Sequence, residues 1–151
     1  MVVVIIAIFS LVAIPSWISF IKSMAFTKYT SYLSILSSRA KIVAAQRNTN
    51  VSLCVVNPYT VDIEDLGHSQ NVSVCSGSIL ENAVSIDSQD QSYIKILGTG
   101  FSFNPRGYTI STGYICIERL DNNQYYMVCA NMFGGLQTFQ GSGLCPANCQ
   151  S

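Results

Sequence analysis

The sequence predicts an α+β protein: one long N-terminal α-helix packed on an antiparallel β-sheet domain and closed by disulfides. Three observations predict it. An apolar run, MVVVIIAIFSLVAIPSWISFI, opens the chain and passes, with no Gly or Pro after Pro15, into an amphipathic stretch ending near Asn48. Beyond Asn48 the composition turns to Ser, Asn, Gln, Gly, Thr and Tyr, in short apolar or alternating segments split by turn formers. Six cysteines lie in that second part, which points to an oxidising compartment.

From Met1 to Ile21 the only polar residues are Ser10, Ser16 and Ser19. A helix of that length reaches about 30 Å, the thickness of a bilayer's hydrocarbon core. Val2, Val4, Ile5, Ile8, Phe9, Leu11, Val12 and Ile14 make it apolar on every face, which suits lipid or the interior of a polymer of like helices. Pro15 lacks a backbone donor and predicts a kink. A cleaved signal peptide fits less well, because no basic segment precedes the run and no small-residue cleavage site follows it. A domain of this size would struggle to enclose such a helix as its core.

Past Lys22, Tyr29, Leu33, Leu36, Ala40, Val43 and Ala44 recur at three- and four-residue steps and form one apolar stripe. Lys28, Arg39, Lys41 and Arg47 lie mostly off it and read as a solvated face or a contact with a neighbouring subunit. Arg47, Asn48 and Asn50 are helix-ending residues. The chain divides into residues 1–22, a membrane or filament-core helix half, and residues 23–151, a globular domain that includes the amphipathic half.

The expected strands are VSLCVV, broken at Asn57-Pro58; NVSVC; SYIKIL; FSF, before Asn104-Pro105-Arg106-Gly107; GYICIERL; and QYYMVCA. Gly134-Gly135 and Gly141/Gly143 read as turns and tail. A two-residue turn at Asn122-Asn123 sets Asp121 against Gln124 and Cys116 against Cys129, within disulfide reach. Cys116–Cys129 is therefore the expected bond. Cys54 and Cys75 flank one polar loop and are placed to close it, and Cys145 and Cys149 to staple the tail. The cysteines lack metal-ligand spacing, and His68 is the only histidine. No metal or cofactor is expected.

Eight Lys and Arg balance eight Asp and Glu, so the net charge is zero, and mean hydropathy is +0.34. That balance removes the usual electrostatic argument for nucleic acid. His68 near Asp62, Glu64 and Asp65 reads as a surface-loop residue rather than part of a catalytic set. Asn71-Val72-Ser73 fits a glycosylation sequon only weakly.

MVVVIIAIFSLVAIPSW resembles the interior of the type IV pilin N-terminal segment, which carries Gly-Phe-Thr-Leu-Ile-Glu-Leu before such a methionine. SSRAKIVAAQRNTNVSLCV is similar to the helix end and first strand of FimT/FimU-type minor pilins and of the H-type minor pseudopilins of type II secretion. The residues that carry this are Arg47-Asn48, Val51, Leu53 and Cys54, and FSFNPRGYTISTGYICI matches the same group again.

The resemblance implies the type IV pilin-like fold and a structural, non-enzymatic role as a minor pilin in a tip or priming complex. Its partners are other minor and major pilins, through helix–helix packing. It implies a single pass of the inner membrane with a periplasmic domain, then the pilus and cell surface. It also implies a native start upstream of Met1, with the leader and the buried glutamate. Other readings are a type II secretion pseudopilin, a DNA-uptake pilin, or a membrane-anchored periplasmic binding module. DNA is not an expected partner: Leu136 and Thr138 stand where some FimT-type proteins carry arginines, and no Lys or Arg follows Arg119.

Overall fold

The computed structural model describes residues 2–69 and 73–149, with the backbone alone for residues 2–16. Helix α1 runs Val2–Arg47, 46 residues or roughly 70 Å. It ends as expected. Asn48 takes the left-handed conformation, φ 53°, and the Thr49 N–H donates to the Ala44 carbonyl at 3.3 Å, a Schellman closure with asparagine in the usual glycine place. The expected kink at Pro15, and the core roles of Val2, Val4, Ile5, Ile8, Phe9, Leu11, Val12 and Ile14, fall on side chains outside the described part. Among the described residues, no helix is long and apolar enough to cross a membrane.

Among the described residues nine strands come after the helix: β1 (Asn50–Asn57), β2 (Thr60–Gly67), β3 (Ser78–Ser85), β4 (Ile94–Gly98), β5 (Phe101–Phe103), β6 (Thr109–Ser111), β7 (Gly113–Arg119), β8 (Gln124–Ala130) and β9 (Leu136–Ser142). They form two antiparallel sheets, ordered β3-β2-β1-β5-β6 and β4-β7-β8-β9. Of the expected strand at NVSVC, the described residues 73–75 are loop and turn. Strands β2, β3 and β9 were not among the expected strands.

Inward-facing residues alternate along each strand, as the pleat requires. Val51 and Leu53 of β1, Val61 and Ile63 of β2 and Phe101 and Phe103 of β5 are all fully buried. They meet Tyr29, Leu33, Leu36, Ala40 and Ala44 of α1, and Ile94, Ile96, Ile115, Ile117 and Val128 of the second sheet, in one core. Ser37, Ala40 and Ala44 keep the buried helix face narrow, which lets it lie close to the sheet. The Ser37 hydroxyl is satisfied by the Leu33 carbonyl at 2.8 Å.

The β7–β8 register corrects the expected disulfide. Four residues, Leu120 to Asn123, make the connection, and Arg119 pairs with Gln124. A two-residue type I′ turn needs positive φ at both central residues, and here only Asn123 has it, at 51°. Asp121 is drawn out of the ladder because its carboxylate accepts from Arg119 Nε and Nη2 at 2.6 and 3.0 Å. Cys116 therefore faces Met127, and Cys129 faces Tyr114. A slip of two residues keeps both cysteines on one face, where each reaches the tail instead. The bonds are Cys116–Cys145 and Cys129–Cys149, not Cys116–Cys129 or Cys145–Cys149. Cys54–Cys75 forms as expected.

Each sheet thus has a cover bonded to its outer face. Cys116, Met127 and Cys129 form a small second core with Tyr114, Tyr125, Phe139 and Cys145. Over the first sheet, the loop after β2 is held by Cys54–Cys75, by the Gly77 N–H on Glu64 Oε2 at 2.9 Å and by Asn50 Nδ2 on the Ser69 carbonyl at 2.9 Å.

Candidate assembly surface

Helix α1 buries one face and leaves the other on solvent. At 100° per residue, Trp17, Ile21, Met24, Tyr32, Ile35 and Ile42 fall within an arc of about 80°, on the side away from the buried stripe. These six side chains are each at least half exposed, Trp17 by 66% and Ile35 by 64%. A row of large apolar groups in water is unfavourable for a monomer and marks an interaction surface. Periodicity alone gave this second stripe no separate signal, because the helix is apolar on both sides. The signal was available in the same residues once the buried face had been assigned.

Three of the helix cations, Lys28, Arg39 and Lys41, reach acceptors of the same chain while staying partly exposed. Lys28 Nζ lies 3.1 Å from Asp87 Oδ2, and Arg39 Nη2 lies 3.1 Å from Glu81 Oε2. Lys41 Nζ donates to the Gly134 carbonyl at 2.7 Å. Lys28 and Arg39 lie within the arc of the exposed stripe, so their pairing with the protein's own carboxylates neutralises it. The outer face becomes a surface that lipid or another apolar helix can cover without desolvating a bare charge.

Two clusters fix the helix to the sheets. Tyr29 Oη reaches Asp90 Oδ2 at 2.9 Å and Asp87 Oδ2 at 3.0 Å, and accepts the Asp87 N–H at 3.0 Å. The Tyr93 hydroxyl donates to the other oxygen of Asp90. Burial pushes the Tyr29 and Tyr93 hydroxyls well above the usual phenol range, so both stay protonated donors. Lys28 and Tyr29 hold the Asp87 carboxyl below its ordinary value. In the second cluster Asp121 joins Arg119, which is 3% exposed, to Lys22 at 3.6 Å, and the Arg119 hydrogen bonds lower the Asp121 carboxyl. Lys22, where the apolar run ends, is thereby tied to the β7–β8 turn.

The remaining candidates do not assemble into a catalytic site. His68 is exposed, whereas Asp62 and Glu64 are buried on β2, and Asp65 Oδ1 accepts the Gly67 N–H at 2.8 Å. Among the described residues no group of three metal-ligating side chains converges. Asn71 lies outside the described residues. Leu136 and Thr138 open β9 and carry no charge.

No family model matches the sequence, and no curated protein matches it. Solved structures do match. The type IV minor pilin FimU of Pseudomonas aeruginosa, in one crystal form, superposes with a TM-score of 0.52 at 13% identity, over 82% of this chain and 96% of that one. A second crystal form of FimU gives 0.50 at 13% identity, over 85% and 99%. The fold is the type IV pilin fold. At that identity the likeness concerns architecture: a long helix laid on antiparallel sheets.

Proposed function

We propose that the chain is a structural minor pilin of a type IV pilus, acting in the tip or priming complex that starts filament assembly. Residues 1–22 hold it in the inner membrane with residues 23–151 in the periplasm. The same helix then leaves lipid for the filament, where helices of other minor and major pilins cover it. The observation that carries this reading is the charge-neutralised apolar outer face of α1, from Trp17 to Ile42, which a lone domain leaves in water. The pilin fold supports it independently. Against DNA uptake, Lys22, Lys28, Arg39 and Arg119 are engaged by carboxylates of the same chain, which leaves few cations for phosphates.

The test is fractionation of sheared filaments from cells producing the protein. The wild type is expected in filaments and membranes. A Met24→Asp/Ile35→Asp variant is expected to fold, because both positions are exposed, yet to fall at least tenfold in the filament fraction. Wild type found only in membranes, or a variant recovered in filaments as well as wild type, would overturn the reading.

A further inference from the structure

At the C-terminal end of α1 a groove of about 490 Å³ opens between the helix, the β5–β6 turn and the tip of the β8–β9 hairpin. Lys41, Ile42, Pro105, Arg106, Tyr108 and Phe133 line it. Phe133 is 80% exposed and Tyr108 53%, with Met132 beside them at 73%. Two neighbouring loops thus hold aromatic side chains out in water around one concavity.

The groove is built in advance. Asn104 Oδ1 accepts the N–H groups of Arg106 and Tyr108, both at 3.0 Å. Asn131 Oδ1 accepts those of Phe133 and Gly135 at 3.1 and 2.8 Å. Lys41 ties the hairpin tip to the helix through the Gly134 carbonyl. Gly134, at φ 79°, sits so close to the Gly107 carbonyl that any side chain there would overlap it. The loop backbones need little further ordering, and the ordering cost a ligand meets is that of the exposed side chains.

The charge is one-sided. Lys22, Lys28, Arg39 and Arg119 have carboxylate partners. Lys41 and Arg106 have none among the described residues, and both line this groove, which no Asp or Glu lines. The Lys41 ammonium gives one hydrogen to Gly134 and keeps two, and Arg106 offers its guanidinium fork.

We propose that the groove binds a protein segment in which a bulky apolar side chain adjoins a carboxylate. The apolar group seats among Ile42, Tyr108 and Phe133, and the carboxylate pairs with Arg106 and Lys41. Two cations are too few for a nucleic-acid track, whereas one carboxylate matches them. The proposal stands on the groove alone, whether or not the chain enters a filament.

The test uses the full chain, 15N-labelled, in detergent micelles. The probes are the blocked peptide GFDEG, its charge-reversed partner GFKKG, and single-stranded oligothymidylate. GFDEG is expected to shift the Arg106, Tyr108 and Phe133 amides saturably. GFKKG, and GFDEG on an Arg106→Glu variant, are expected to bind about tenfold or more weakly. Phe133→Ser should abolish the shifts and leave the rest of the spectrum unchanged, since the side chain is exposed. Equal binding of both peptides, tighter binding of oligothymidylate, or no shift up to roughly 10 mM GFDEG would each overturn the proposal.

Discussion

Replacing Cys116 and Cys145 together by alanine removes a crosslink across a sequence separation of 29 residues. Loop-closure entropy puts the loss at about 3.5 kcal/mol. Cys116 is fully buried beside Met127 and Cys129, so the lost sulfur leaves a small void that adds roughly 1 kcal/mol. The sum is a large part of the ~5–15 kcal/mol that stabilises a domain. Urea unfolding of the full chain in micelles, followed by near-UV circular dichroism, should show a midpoint about 2 M lower. The single variant Cys145→Ala supplies the connectivity. Unfolding and alkylation should label one thiol, mapped by mass to Cys116, with Cys129–Cys149 intact. A label on Cys149 would mean that Cys116 bonds Cys129. That result, or an unchanged midpoint in the double variant, would refute the four-residue turn and the tail cover built on it.

Leu33→Ala, at a fully buried position of the helix–sheet seam, should cost about 3–4 kcal/mol, while Ile35→Ala on the exposed face should change stability by less than about 0.5 kcal/mol; similar losses in urea would mean that the outer face is packed. The pH dependence has a worked sign. Burial raises the Asp62 carboxyl, and its Oδ1 lacks a hydrogen-bond partner among the described residues. Native protein then holds that proton to higher pH than unfolded chain, and stability falls as pH rises from about 4 through the raised value. Asp62→Asn should therefore gain on wild type over that window and lose the advantage below it, as read from urea midpoints at several pH values; a pH-independent difference would sink the assignment. Asp87 and Asp121 act in the opposite sense, their contribution present above the ordinary carboxylate range and lost as pH falls through their lowered values.

The stripe Tyr29, Leu33, Leu36, Ala40 and Ala44 was readable because helical periodicity is local, and each of these residues is buried. The strands at Val51–Val55, Phe101–Phe103, Ile115–Ile117 and Tyr126–Val128 were readable because Val, Ile and aromatic residues alternate between recognisable turns. Strand β2 was obscured by its own outward residues. In Val61-Asp62-Ile63-Glu64 the acids look like surface loop, yet Asp62 and Glu64 are buried on a sheet face with a disulfide-held loop nearby. Strand β9, with Gln137, Thr138, Gln140 and Ser142, has too little apolar character to announce itself and exists because β8 pairs with it along its length.

The candidate surface divides in the same way. That the helix carries apolar residues all round is plain from composition. Which of them stay in water depends on which face the sheets take. The cations at positions 28, 39 and 41 could be placed on the helix, but their partners Asp87, Glu81 and the Gly134 carbonyl lie 59, 42 and 93 residues away along the chain.

By itself the sequence determined the long helix, its Asn48 stop, the antiparallel character of the strands beyond it and the oxidised state of the cysteines, because each depends on side chains within a few residues. Only the tertiary structure decided the division into two sheets, the β7–β8 register and hence the pairing of Cys116 and Cys129 with the tail, and the groove where Lys41, Arg106 and Phe133 meet. Those depend on backbone pairing and on contacts between distant segments, whose energies no local pattern carries.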